Sequence, residues 1–112
     1  MRDYHNYQSL LEAVAESKFD ITEVVSGGAS GVDALGERYA HENGIPLKVF
    51  PADWAKHGNA AGPLRNKEMA IYADALIALW DGQSKGTRSM VGYANMRKLK
   101  LYIKPIAPNK TA

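Results

Sequence analysis

A chain of 112 residues with 46% hydrophobic and 23% charged residues has the length and make-up of one globular domain, which excludes intrinsic disorder, collagen and coiled coil as descriptions of the whole. Fourteen Lys plus Arg against twelve Asp plus Glu leave a net charge of +2, too small a surplus to argue for a surface that wraps a polyanion, so nucleic acid is not the expected partner. The absence of cysteine excludes disulfides, thiolate zinc sites and Cys nucleophiles; with a longest apolar run of six residues, Ala75 to Trp80, and no signal-peptide pattern in MRDYHNY, a soluble cytoplasmic protein without a membrane span is expected.

Tyr7, Leu10, Leu11, Val14 and Ala15 recur at helical spacing and predict a helix from about Tyr7 to Ser17. The β-branched run Ile21 to Ser26, stopped by Gly27-Gly28, predicts a strand. Val32, Leu35, Tyr39 and Ala40 mark a second helix that Gly44 and Pro46 close, and Leu47 to Phe50 reads as the next strand. Asp53 to Pro63 contains Gly58, Gly62 and Pro63 and has no period, which predicts a long loop; Leu64 to Ala73 is helical beyond it. Ala75 to Trp80 has the continuous apolar character of a strand covered on both faces. A turn over Asp81 to Gly86 then leads into a helix from about Thr87 to Arg97, and Leu99 to Ile103 is the last strand. This alternation predicts an open parallel sheet with helices on both sides, formed by residues 1–104 and followed by a flexible tail over 105–112.

Open α/β sheets bind ligands beyond the carboxyl ends of their strands, so the turns that leave the strands are the places to look. In Ser26-Gly27-Gly28-Ala29-Ser30-Gly31-Val32-Asp33, three glycines permit positive φ and let backbone N–H groups approach an anion at the start of a helix. No Gly-Lys-Ser/Thr follows and the spacing does not fit G-x-G-x-x-G, so this is neither a Walker loop nor the dinucleotide fingerprint. The alternative is a tight connection in which Ser30 or Asp33 merely caps the helix. In Ala61-Gly62-Pro63-Leu64-Arg65-Asn66-Lys67, two cations and an amide open a helix where acidic groups are favoured, which suggests an anion facing Arg65 and Asn66; a solvated surface arginine is the competing reading. Ser84-Lys85-Gly86-Thr87-Arg88-Ser89 is a third start of this kind.

Trp54 and Trp80 could stack on a base, although a lone Trp is more often packing. His5, His41 and His57 lack ligand spacing, and His41 follows Glu37 by four residues as in ordinary helix pairing, so no metal site is expected. Arg97, Lys98, Lys100 and Lys104 alternate with apolar residues and make at most a modest basic patch. No Ser-His-Asp order or framed carboxylate pair is visible.

VSGGASGVD, FPADWAKHGNAAGPLRNKEM and ADALIALWDGQSKGTRSM, in that order, resemble the SLOG superfamily, which includes the DNA-processing protein Smf and the Lonely-guy enzymes, and within it the small YspA/YpsA-related group of bacterial and phage genomes. The resemblance runs from Tyr4 to about Ile103 and implies a Rossmann-like three-layer fold with a mainly parallel sheet. It implies a nucleotide or nucleotide-derived ligand, with no further cofactor, held by Ser26, Gly27, Gly28, Ala29, Gly31, Asp33, Trp54, Arg65, Asn66, Gly86, Thr87, Arg88 and Ser89. A sensor or ligand-binding protein is expected rather than an enzyme. The phosphoribohydrolase branch carries a Glu shortly after Gly-Thr, whereas Arg88, Ser89, Met90 and Val91 follow here, so hydrolysis of a nucleoside monophosphate would have to use Asp33 or Glu68. A Smf-like DNA-binding helper is the third reading. Family members also open with an apolar strand ending in Gly-Ser-Arg, whereas this chain begins Met1-Arg2-Asp3-Tyr4. Leaving that central strand out separates its neighbours by about 10 Å instead of about 4.8 Å, so either the chain is an N-terminally shortened version, or another strand or chain fills the slot, with homo-oligomerisation expected, or the sheet closes up.

Overall fold

The computed structural model describes residues 6–28 and 31–106. Helix α1 spans Tyr7–Ser17; Asn6 caps it by accepting from the Ser9 N–H at 3.3 Å, and Lys18 ends it in the left-handed conformation at φ 59°. Strand β1 (Val24–Ser26), helix α2 (Val32–Glu42) and strand β2 (Leu47–Val49) follow. Helix α3 (Trp54–His57) and a 3₁₀ turn (Gly58–Ala60) run directly into α4 (Ala61–Tyr72). Strand β3 (Ala75–Trp80), helix α5 (Lys85–Met96) and strand β4 (Lys100–Pro105) complete the order. Among the described residues no helix is long and apolar enough to cross a membrane.

The expected alternation is present, with two corrections. Asp53 to Pro63 is not a loop: Asp53 caps α3 through the Lys56 N–H at 3.1 Å, and α4 starts at Ala61, so Pro63 sits in its first turn, where no helical N–H is lost. Strand β1 is half the expected length because β2 offers it only three partners, in the register Val24↔Leu47, Val25↔Lys48 and Ser26↔Val49.

Both strand pairs are parallel, β1 with β2 and β3 with β4, the latter from Ala75↔Lys100 to Trp80↔Pro105. They are two separate two-stranded sheets. The helices form two packed pairs, α1 with α2 and α4 with α5. The buried cluster is small: Leu10 and Ala13 of α1, Leu35 of α2 and Leu79 of β3, with Val32, Tyr39, Ile77 and Tyr102 half-buried around it. Between β1 and β3 lies a trough, lined by Val24, Val25, Ala75, Leu76 and Ile77 of the strands and by Val14, Tyr39, Met69 and Met90 of the helices. The sheet has not closed across it.

Candidate functional site

The turn leaving β1 is braced from behind. Ser26 is buried; its Oγ donates to Oε2 of Glu37 at 2.6 Å and accepts from the Gly28 N–H at 3.0 Å. Glu37 is therefore engaged with the glycine turn rather than with His41, and the i, i+4 ion pair of α2 is Arg38 with Glu42 at 2.6 Å. Gly28 and Gly31 take φ of 74° and 77°, a region L side chains avoid, and Gly31 starts α2 without a capping side chain. Ala29 and Ser30 lie outside the described residues.

Arg65 closes on this turn from α4. Its Nη1 donates to the Gly27 carbonyl at 2.5 Å and its Nε to Oδ1 of Asn66 at 3.1 Å. The approach requires glycine: a Cβ on Gly27 would lie 2.5 Å from Arg65 Nη1 and 2.9 Å from Asp33 Oδ2. Because α4 begins at Ala61, Arg65 belongs to its second turn, and the argument from a cation at a helix start does not apply; the side chain reaches the site by facing β1. Asn66 is buried, and its Nδ2 donates to Ser89 Oγ at 3.4 Å, linking α4 to α5.

The turn leaving β3 is a second built corner. The Asp81 carboxylate accepts the N–H groups of Gln83 at 2.8 Å and Ser84 at 2.9 Å, which hold its pKa below the ordinary value. Ser84 Oγ caps α5 through the Thr87 N–H at 3.5 Å, and the Trp80 indole donates to the Ser84 carbonyl at 3.2 Å. Trp80 thus fastens the turn. Trp54 is different: it is 56% exposed on α3, with its ring beside Gly62.

These corners share one cavity of about 840 Å³, within the range of small-molecule sites. Of the residues expected to bind ligand, Gly27, Gly28, Asp33, Trp54, Arg65, Asn66, Gly86, Thr87 and Ser89 line it. Ser26 stands behind the turn, Gly31 heads α2, and Arg88 is exposed outside the lining. The sequence reading missed Lys85, which adds a second cation, and the apolar floor of Met69, Met90 and β3, since nothing in a lone Met or an apolar run signals a ligand.

The profile of the YspA, cpYpsA-related SLOG family matches residues 1–57, which takes in α1, the whole glycine turn, α2 and β2. The chain belongs to that family. Its SLOG membership fits a mixed α/β fold and associates the chain with nucleotide-related ligand binding or processing. A relative is the Gene 61 protein of Mycobacterium phage D29, 36% identical over 88 residues, which cover 73% of this chain and 70% of the phage protein. No solved structure gives a significant match.

Proposed function

We propose that this SLOG protein binds a nucleotide or nucleotide derivative in the 840 Å³ cavity and serves as a ligand-binding or sensor protein. The observation that carries this is the meeting of two strand-to-helix turns and Arg65 in one cavity. The N-termini of α2 and α5 bring N–H groups and positive dipole ends to it, so phosphate belongs on Gly27 to Gly31 and at Gly86-Thr87. Arg65 and Lys85 supply full positive charge, and the exposed ring of Trp54 at the rim offers a base a stacking surface. The strands, read as parts of one Rossmann-like sheet, present the site at their carboxyl ends.

Hydrolysis of the N-glycosidic bond is a second reading, favoured by one observation: the Asp33 carboxylate lines the cavity. Glu68, the other acid considered, is exposed on α4 and outside the lining. A DNA-binding role for the basic tail loses support, because Lys104 is held by Glu16 at 3.0 Å and Glu12 at 3.7 Å.

A thermal-shift screen over nucleoside mono- and diphosphates, ADP-ribose and cyclic nucleotides tests the proposal, since a ligand of the folded state raises the melting temperature by mass action. At least one nucleotide should stabilise the chain where its nucleoside and free phosphate do not; no stabilisation by any of them would refute it. Release of free base from a bound monophosphate, abolished by Asp33→Asn, would move the assignment to the hydrolase.

A further inference from the structure

Among the described residues two polar side chains are buried: Ser26 behind the glycine turn, and Asn66 on α4, which is 8% exposed. A buried amide is costly unless its polar atoms are bonded, and both ends of Asn66 are engaged. Its Oδ1 accepts from Arg65 Nε at 3.1 Å, and its Nδ2 donates to Ser89 Oγ at 3.4 Å. A guanidinium only donates, so the carbonyl end of the amide has to face Arg65 and the NH₂ end has to face Ser89.

This gives the chain of bonds a direction. Arg65 Nε and one hydrogen of Nη1 are bound to Asn66 and to the Gly27 carbonyl, which leaves Nη2 and the second Nη1 hydrogen to donate elsewhere. Ser89 Oγ accepts from the amide, and among the described residues its own proton meets no acceptor. Both side chains line the 840 Å³ cavity, Arg65 beside Gly27 and Ser89 about one turn of α5 beyond Gly86. The relay therefore runs from one strand-to-helix turn to the other and holds a donor at each end.

We propose that Asn66 is a positioning residue that sets Arg65 and Ser89 as a pair of donors to one phosphoryl group lying between the two turns. The proposal rests on the nucleotide reading of the cavity; it assigns Ser89 a direct contact with ligand and takes Asn66 out of the contacting set. Exchanging Asn66 for aspartate changes almost no volume but reverses the relay. A carboxylate still accepts from Arg65 Nε, yet it has nothing to donate, so the Ser89 proton turns toward it and away from the cavity. Its negative charge also offsets that of Arg65.

The test uses the full chain, with pyrophosphate as the probe in a chemical-shift titration and the Arg65 Nε–H resonance as the reporter of the relay. Ser89→Ala should weaken pyrophosphate about tenfold, the loss of one hydrogen bond to a charged group. Asn66→Asp should weaken it by about thirtyfold or more while the Arg65 Nε–H stays protected from exchange. Added to Asn66→Asp, Ser89→Ala should cost almost nothing, because the hydroxyl has already turned away. A purely structural Asn66 would instead lower the melting temperature and leave the affinity of the folded protein unchanged. Three results would each overturn the proposal: no pyrophosphate binding by the wild type, unchanged affinity in a folded Asn66→Asp protein, or the same loss from Ser89→Ala with and without Asn66→Asp. If Asn66→Asp does not fold, Ser89→Ala decides alone, and unchanged affinity in that variant overturns the assignment. Pyrophosphate binding in the expected pattern, with no nucleotide raising the melting temperature, would sink the nucleotide reading and leave the role of Asn66 standing.

Discussion

Replacing Gly27 by alanine separates the role of the Arg65 contact from the general tolerance of a turn. The new Cβ would stand 2.5 Å from Arg65 Nη1, whereas an ordinary non-bonded contact is about 3.5 Å, so the guanidinium must retreat by about 1 Å. That retreat carries the 2.5 Å bond to the Gly27 carbonyl beyond hydrogen-bonding distance. Charge-assisted bonds contribute about 1.5–3 kcal/mol, and because Arg65 is only half-buried the lower end applies, which corresponds to a fall in melting temperature of about 5–10 °C. Arg65→Ala removes the same bond and should cost a similar amount, a structural share in addition to its role toward ligand. In the double variant the alanine meets no guanidinium but still stands 2.9 Å from Asp33 Oδ2, so Gly27→Ala should add to Arg65→Ala clearly less than it costs alone, the losses being less than additive in the cycle. Calorimetry with the nucleotide that stabilises the wild type should show each single variant weakened by about tenfold or more. Additive stability losses, or a Gly27→Ala protein matching the wild type in melting and affinity, would refute this account of the contact.

Gly28→Val forces a β-branched residue to φ 74° with its Cβ 3.2 Å from Val49 Cγ1; the protein should stay folded, lose about 1–3 kcal/mol in denaturant melts and bind no nucleotide by calorimetry. Ser26→Ala leaves the Gly28 N–H and Glu37 without their shared hydroxyl and should cost about 1–3 kcal/mol in the same assay. The Tyr102 hydroxyl at 2.5 Å and Lys104 at 3.0 Å donate to Glu16 and hold its pKa below 4.5. A depressed folded-state pKa contributes stability that is complete above the unfolded value and lost as pH falls through the folded one, so Glu16→Gln should flatten the acid side of the melting-temperature profile and leave its slope near neutrality unchanged.

The helices were legible because α1, α2 and α5 each carry an apolar stripe at helical spacing, and α1 ends where the spacing places it, at Ser17. Strand lengths were not, since β1 extends only as far as β2 pairs with it, and Pro46 starts that pairing through its carbonyl alone. Helix α3 is four residues long, too short to show a period, although Asp53 as its cap was present to be read. Gly27 and Arg65 stood out as residue types, but that one exists to admit the other depends on a contact across 38 positions. The engagement of Trp80 and Glu37 with the two turns is likewise a fact of three dimensions. The apolar trough between β1 and β3 depends on Met69 and Met90 meeting Val24, Val25 and Leu76 from separate segments, which no local pattern in the sequence shows.

The most direct test of the nucleotide site is an amide and indole chemical-shift titration of the intact chain with the nucleotide that gives the largest thermal shift. The largest saturable changes should fall on Gly27, Gly28 and Thr87 and on the Trp54 indole N–H, all bordering the 840 Å³ cavity, and should vanish together in Gly28→Val. Changes confined to Lys98 and to β4, or no saturable change at the two turns, would contradict the assignment.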